Sequence, residues 1–191
     1  FQQNNYSLKS LHRLIVTSMT YRQSSASRPD ALGCDRDNRL LWRFAPKRLE
    51  GEAVRDSLLP AAGMLNTQQS GPSYEDVKEI HFNAGRYYHP IEVKGPKFDR
   101  RTIYRFSPRG ERDAILDTFD CPDPSATAPT RAVTTTPLQA LSLSNNVFVW
   151  RMADGLANRV RKEAGEALFG QVRRAWLLSL GRDPDETERS Q

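Results

Sequence analysis

At 191 residues, with 38% hydrophobic and 27% charged side chains, the chain suffices for one domain, or one and part of another, around a sizeable core. That mix excludes an intrinsically disordered chain, and no apolar run approaches the ~18–20 residues of a membrane helix. The net charge of +5 arises from 22 Arg and 6 Lys against 23 acidic residues, and the arginines are dispersed from Arg13 to Arg189, which argues for a salt-bridged surface and against a nucleic-acid footprint.

The first helix is predicted from Ser7, a fitting N-cap, with Leu8, Leu11, Leu14 and Ile15 on one face. Ser24 to Ser27 and then Pro29 end it. His12 reads as a helix-face histidine rather than a ligand. A second helical block is expected over residues 38–65, one arm of a helix hairpin. Leu40, Leu41 and Phe44 form an apolar turn, Trp42 is placed in the core, and Pro46 opens a fresh helix. Leu49, Ala53, Val54 and Leu58 carry the stripe on to a break at Pro60, and Glu50, Glu52, Arg55 and Asp56 invite ion pairs.

Residues 68–73 read as a loop. Short strands are predicted over residues 79–83, 91–93 and 102–106, with a turn at Asn83-Ala84-Gly85. His81 and His89 lie here with Glu79 and Glu92, but nothing supplies the closing ligand of a zinc site. A short helix follows Gly110, through Ile115 and Leu116. Thr136-Pro137 caps and opens another, Asn145-Asn146 interrupts it, and a longer helix resumes through Val160. Gly165 separates a last amphipathic helix that stops at Gly181, and Asp183-Pro184 opens one more before Gln191. The expected architecture is mainly α: a helical domain with a small antiparallel β element over roughly residues 79–106. Phe1 in place of Met suggests one domain over residues 1–191, incomplete at both ends, with targeting information upstream.

Polar and special-geometry residues are densest between Phe98 and Asn146. Asp117, Asp120 and Asp123 recur every third residue in a Pro-rich path, close to Arg100, Arg101, Arg105, Arg109 and Arg131. An Arg–Asp network is the reading favoured over a calcium loop, whose spacing is absent, and over a catalytic carboxylate pair. Tyr104 and Thr135 belong to the same polar network, and Gln139 and Asn145 are placed to tie the interrupted helix to the strand beside it. Cys34 and Cys121 have no metal or haem-attachment spacing, so no cofactor is expected in this segment.

Several motifs in one order carry a resemblance: residues 7–18 and 21–25, Asn38 to Arg43, Arg48-Leu-Glu with residues 52–56, Arg100 to Arg105, Phe119 to Ser125, and Arg131 with residues 134–141. Together they resemble the planctomycete-type domain of unknown function, often called the PSD domain, that follows cytochrome c-like domains in large exported bacterial proteins. The resemblance covers nearly the whole chain and implies its larger C-terminal part. It implies a periplasmic or extracellular setting and haem c only in a separate domain. The implied partners are neighbouring domains of the same polypeptide, among them a cytochrome c-like domain, or an extracellular polymer. It makes a Cys34–Cys121 disulfide thinkable and assigns no catalytic residue. The function expected is a non-catalytic accessory or interaction domain; the alternative is a polysaccharide hydrolase using Asp117, Asp120 or Asp123.

Overall fold

The computed structural model describes residues 1–190; the end of the last expected helix, at Gln191, lies outside them. The chain divides into two compact units, residues 1–48 and 49–191. The described residues form eight α-helices and one two-stranded antiparallel sheet. None of the helices is long and apolar enough to cross a membrane.

In the first unit, α1 spans Leu8–Thr17 and Ser7 caps it, its side chain accepting from the Ser10 amide at 3.3 Å. α2, Pro29–Cys34, is unforeseen: Pro29 opens a helix where it was expected only to end one. The helix predicted from Asn38 does not form, and side-chain competition explains why. The Asp35 carboxylate accepts from the amides of Arg39 and Leu40 at 2.9 and 2.8 Å, and Asn38 clamps both backbone groups of Arg43. These bonds replace the first helical turn, and Asn38 and Leu41 take positive φ, 56° and 54°. Trp42 is half-buried, with the guanidiniums of Arg28 and Arg43 over its ring at 5.6 and 4.9 Å. No residue of the first 48 is buried.

The second unit holds the core. α3 spans Gly51–Ala61, much shorter than the predicted block; its Leu59, with Ala62 just past its end, packs against Met152 of α6, Val147–Ala164. Leu58, Met64, Leu65 and Phe148 close around them. α4, Ala114–Thr118, begins at Asp113, whose carboxylate accepts from the Ile115 and Leu116 amides. α5, Pro137–Asn145, opens with a capping box between Thr136 and Gln139. It ends where Asn146 turns outward to cap α6, accepting from the Phe148 amide at 2.8 Å. α7, Leu168–Leu180, stops at Gly181 in the left-handed region (φ 71°), as its position foretells. α8 spans Glu186–Ser190.

The sheet pairs β1, Val77–Phe82, with β2, Gly85–Pro90, from Val77 opposite Pro90 to Phe82 opposite Gly85. Asn83 and Ala84, both at positive φ, make the two-residue hairpin turn. Neither later strand prediction survives. Residues 91–93 lie beyond β2, and residues 102–104 form a 3-10 turn. Asp56 dictates that turn by accepting from both the amide and hydroxyl of Thr102, at 2.7 and 2.6 Å. Around it, single parallel bridges at Asn66/Arg100 and Tyr74/Arg105 lash the segment to residues 66–74.

Candidate functional site

Charge inside the second unit is organised by arginine. Arg105 lies on the strap after the 3-10 turn, with 4% of its side chain exposed. Its Nε donates to Asp76 Oδ2 at 2.7 Å, and its two Nη atoms form a fork to Glu111 at 3.1 and 2.9 Å. Burial alone would weaken the cation, but the bonds to Glu111 and Asp76 more than reverse that and hold its pKa above the ordinary arginine value. Arg100 serves the backbone: it donates to the carbonyls of Pro72, Ser70 and Gln68 and stacks 4.0 Å over the Tyr104 ring. Arg55 of α3 donates to the carbonyls of Arg100 and Phe98, with Tyr74 and Phe148 beneath its guanidinium.

The carboxylates at 117–123 have partners, though not the arginines anticipated. Arg112 bridges Asp117 at 2.6 Å and Asp123 at 2.9 Å, and Asp120 accepts from the amide and hydroxyl of Thr134. The Ser125 amide, and then Arg112, hold the Asp123 carboxyl below its usual range. Arg101 is exposed and pairs with Asp56 at 3.0 Å; Arg131, also exposed, pairs with Glu52 and Glu50. The Arg131 hydrogen bond lowers the pKa of Glu52. Gln139 is buried, accepts from the Thr136 amide and donates to the Thr118 carbonyl, so it ties α5 to α4 rather than to a strand. Thr135 is exposed ahead of α5, and Asn145 is exposed beside Asn146, which carries the cap. Arg109 is exposed as well.

Cys34 and Cys121 are free thiols, Cys34 exposed in the first unit and Cys121 half-buried in the second. Burial, together with the neighbouring Glu52, pushes the Cys121 thiol up to about 11. His81 pairs with Glu79 on the exposed ribbon. Among the described residues no three His, Cys, Asp or Glu side chains gather as a metal would need.

A cleft of about 350 Å³ opens beside the Arg105 cluster, between the start of α6 and the segment following β2. Three polar atoms on side chains lining it are buried without a hydrogen-bond partner: Tyr74 Oη, Asp76 Oδ1 and Arg151 Nη1. The second oxygen of Asp76 is held by Arg105, and the second Nη of Arg151 donates to buried Asp99 at 2.6 Å. Burial pushes the Tyr74 phenol up to about 12, so it keeps its proton. These residues escape sequence reasoning. Arg55 registers only as a helical ion-pair former and Glu111 only as one more carboxylate shortly before the series at Asp117, Asp120 and Asp123, while Tyr74, Asp76, Asp99 and Arg151 give no signal from spacing. One sign was there: Arg151 falls between Phe148 and Met152 on a helix whose apolar residues face the core.

A family model described as PSD1, protein of unknown function (DUF1553), matches residues 1–191, and the chain belongs to that family. No curated protein and no solved structure matches it.

Proposed function

We propose that the chain is a non-catalytic accessory domain that binds a ligand or partner, within an exported multidomain protein that also carries cytochrome c-like domains. The observation that carries this reading is the state of the polar centre. Asp117 and Asp123 share one arginine and Asp120 is bound by Thr134, so each carboxylate of the segment is tied down. A general acid needs a carboxyl with a raised pKa, and Asp123 is shifted the other way. A cleft of about 350 Å³ beside the Arg105 cluster, walled by Ile91, Val93, Val147 and Phe148, offers a place for a ligand or partner segment instead.

The setting rests on family resemblance: periplasmic or extracellular, with haem c held by a separate domain and the cytochrome c-like domain or an extracellular polymer as partner. The chain itself contains no Cys-x-x-Cys-His attachment sequence. Two experiments test the proposal. The purified chain, incubated with a panel of polysaccharides, is expected to release no reducing ends. Release abolished by Asp120→Asn contradicts the accessory reading and favours the hydrolase. Fractionation of cells producing the full-length protein, with haem staining, is expected to place a haem-bearing band in the periplasm or medium. A cytosolic, haem-free band contradicts the setting.

A further inference from the structure

We propose that the outer edge of β1 pairs antiparallel with the same edge of a second copy of the chain, joining two ribbons into one four-stranded sheet about a two-fold axis at Ile80. Residues 78–82 do not line the cleft, so this contact stands independently of the function proposed above. Among the described residues β1 and β2 form a sheet of their own, and residues 78–82 are exposed throughout. A two-stranded ribbon with no third strand and no covered face is marginal in water.

The turn decides which backbone groups are free. With a two-residue turn, Phe82 and Gly85 form the closing hydrogen-bonded pair. Ile80 and Lys78 then also bond inward, to Tyr87 and His89, and the amides and carbonyls of Val77, Glu79 and His81 point to the outer edge. The bond from the Ile91 amide to the Asp76 carbonyl continues that alternation. On β2 the outward positions are Arg86, Tyr88 and Pro90, and Pro90 has no N–H to offer. β1 has neither a proline nor a bulge, two of the devices that keep an edge unpaired. Its edge is the open one.

Side chains choose the occupant and the register. Ile80, Phe82 and Tyr87 share one face of the ribbon and are exposed there. On the other face the Glu79 carboxylate meets His81 and Arg86 at 3.3 and 3.4 Å. A two-fold axis at Lys78 or Glu79 would set like charges against each other. An axis at Ile80 instead sets Glu79 opposite the second copy's His81, whose ring can donate to it, and Lys78 opposite the second copy's Phe82, whose ring accepts a cation. Across the four strands it aligns Tyr87 and Ile80 with their two counterparts in one apolar row, the cross-strand contact that stabilises sheets. β1 is thus complementary to itself in one register, and that favours a second copy over an unrelated strand. The contact is short, so a weak dimer is expected, with a Kd between about 10 µM and about 1 mM.

The test is sedimentation velocity of the full chain across that concentration range, with amide NMR spectra of the ¹⁵N-labelled chain at both ends of it. A concentration-dependent dimer is expected, with the amides of residues 78–82 shifting as it forms. Ile80→Lys sets two ammonium groups against each other on the axis and is expected to leave a monomer with an unchanged melting temperature, since the position is exposed. His81→Glu faces Glu79 of the second copy with a carboxylate and is expected to weaken the dimer about tenfold, and adding Glu79→Lys is expected to restore it. A chain that stays monomeric up to about 1 mM overturns the proposal. So does a dimer that survives Ile80→Lys unchanged, because the contact then lies on another surface. A double variant that stays as weak as His81→Glu overturns the register. Growth past the dimer into open oligomers shows β1 pairing with β2 of the next copy and overturns the two-fold arrangement.

Discussion

Arg101 and Arg105 stand four residues apart and their surroundings give them opposite weights. Arg105 is enclosed with Glu111, whose side chain is 2% exposed, so neither charge can fall back on water. Arg101 is 64% exposed, and its partner Asp56 keeps Thr102 and Arg55 when Arg101 is removed. The sequence places both in one Arg–Asp network; the structure gives Arg105 the buried carboxylate. Arg101→Ala is therefore expected to cost less than about 1 kcal/mol in chemical denaturation, as for other exposed ion pairs, and a loss above about 2 kcal/mol would contradict this. Glu188 supplies a pH-dependent counterpart. Arg182 first, then the Asp185 amide, hold its carboxyl at about 2 against an ordinary 4.5. A depressed carboxylate contributes fully above its unfolded value and loses that contribution as the pH falls through its folded one. The Trp176 indole N–H, which donates to Glu188 at 3.2 Å, is expected to hold its NMR shift through pH 4.5 and to move with a midpoint near pH 2. A shift that moves only above pH 5 would dissociate the indole from Glu188.

Elements were legible where a local rule is strong and no tertiary contact overrides it. Ser7, Thr136-Pro137, Gly165 and Gly181 mark helix ends in the sequence and do so in the structure, because capping is decided within one turn. The hairpin turn was readable from Asn83 for the same reason. Elements failed where side chains distant in sequence or poised in a loop claim the backbone. Asp35 and Asn38 cancel a helix with apolar residues at the right spacing, and Asp56, 46 residues away, folds a β-like run into a 3-10 turn. The cleft was illegible because its lining joins segments far apart in sequence, residues 74–76 and 90–94 with the start of α6, and none belongs to a motif. Close helix packing yields a further test. Gly155 sits mid-helix in α6, where alanine is ordinarily favoured by about 1 kcal/mol. A Cβ there would lie 2.9 Å from Met64 Sδ and 3.1 Å from the Ala62 Cβ. The sign reverses: Gly155→Ala is expected to destabilise by about 1–3 kcal/mol through overpacking, and a raised melting temperature would show that α3 and α6 have room to part.

On the scale of the molecule, apolar burial and buried charge both belong to residues 49–191. Leu59, Ala62 and Met152 form a hydrophobic core cluster, and Arg55, Asp99, Arg100, Arg105 and Glu111 are buried in the same unit. The first 48 residues contain no buried side chain. Residues 49–191 produced alone are expected to keep a cooperative melting transition, since two-state unfolding follows the core; a broad, non-cooperative melt would assign the first unit a structural role. The charges of the polar centre serve architecture, with Arg105 holding Asp76 and Glu111 in the interior. A double-mutant cycle across Arg105 and Glu111, read by urea denaturation of the full chain, tests that most directly. Arg105→Ala and Glu111→Ala are each expected to cost about 3–5 kcal/mol, with the double variant losing little more than either alone. Additive losses below about 1 kcal/mol each would contradict it.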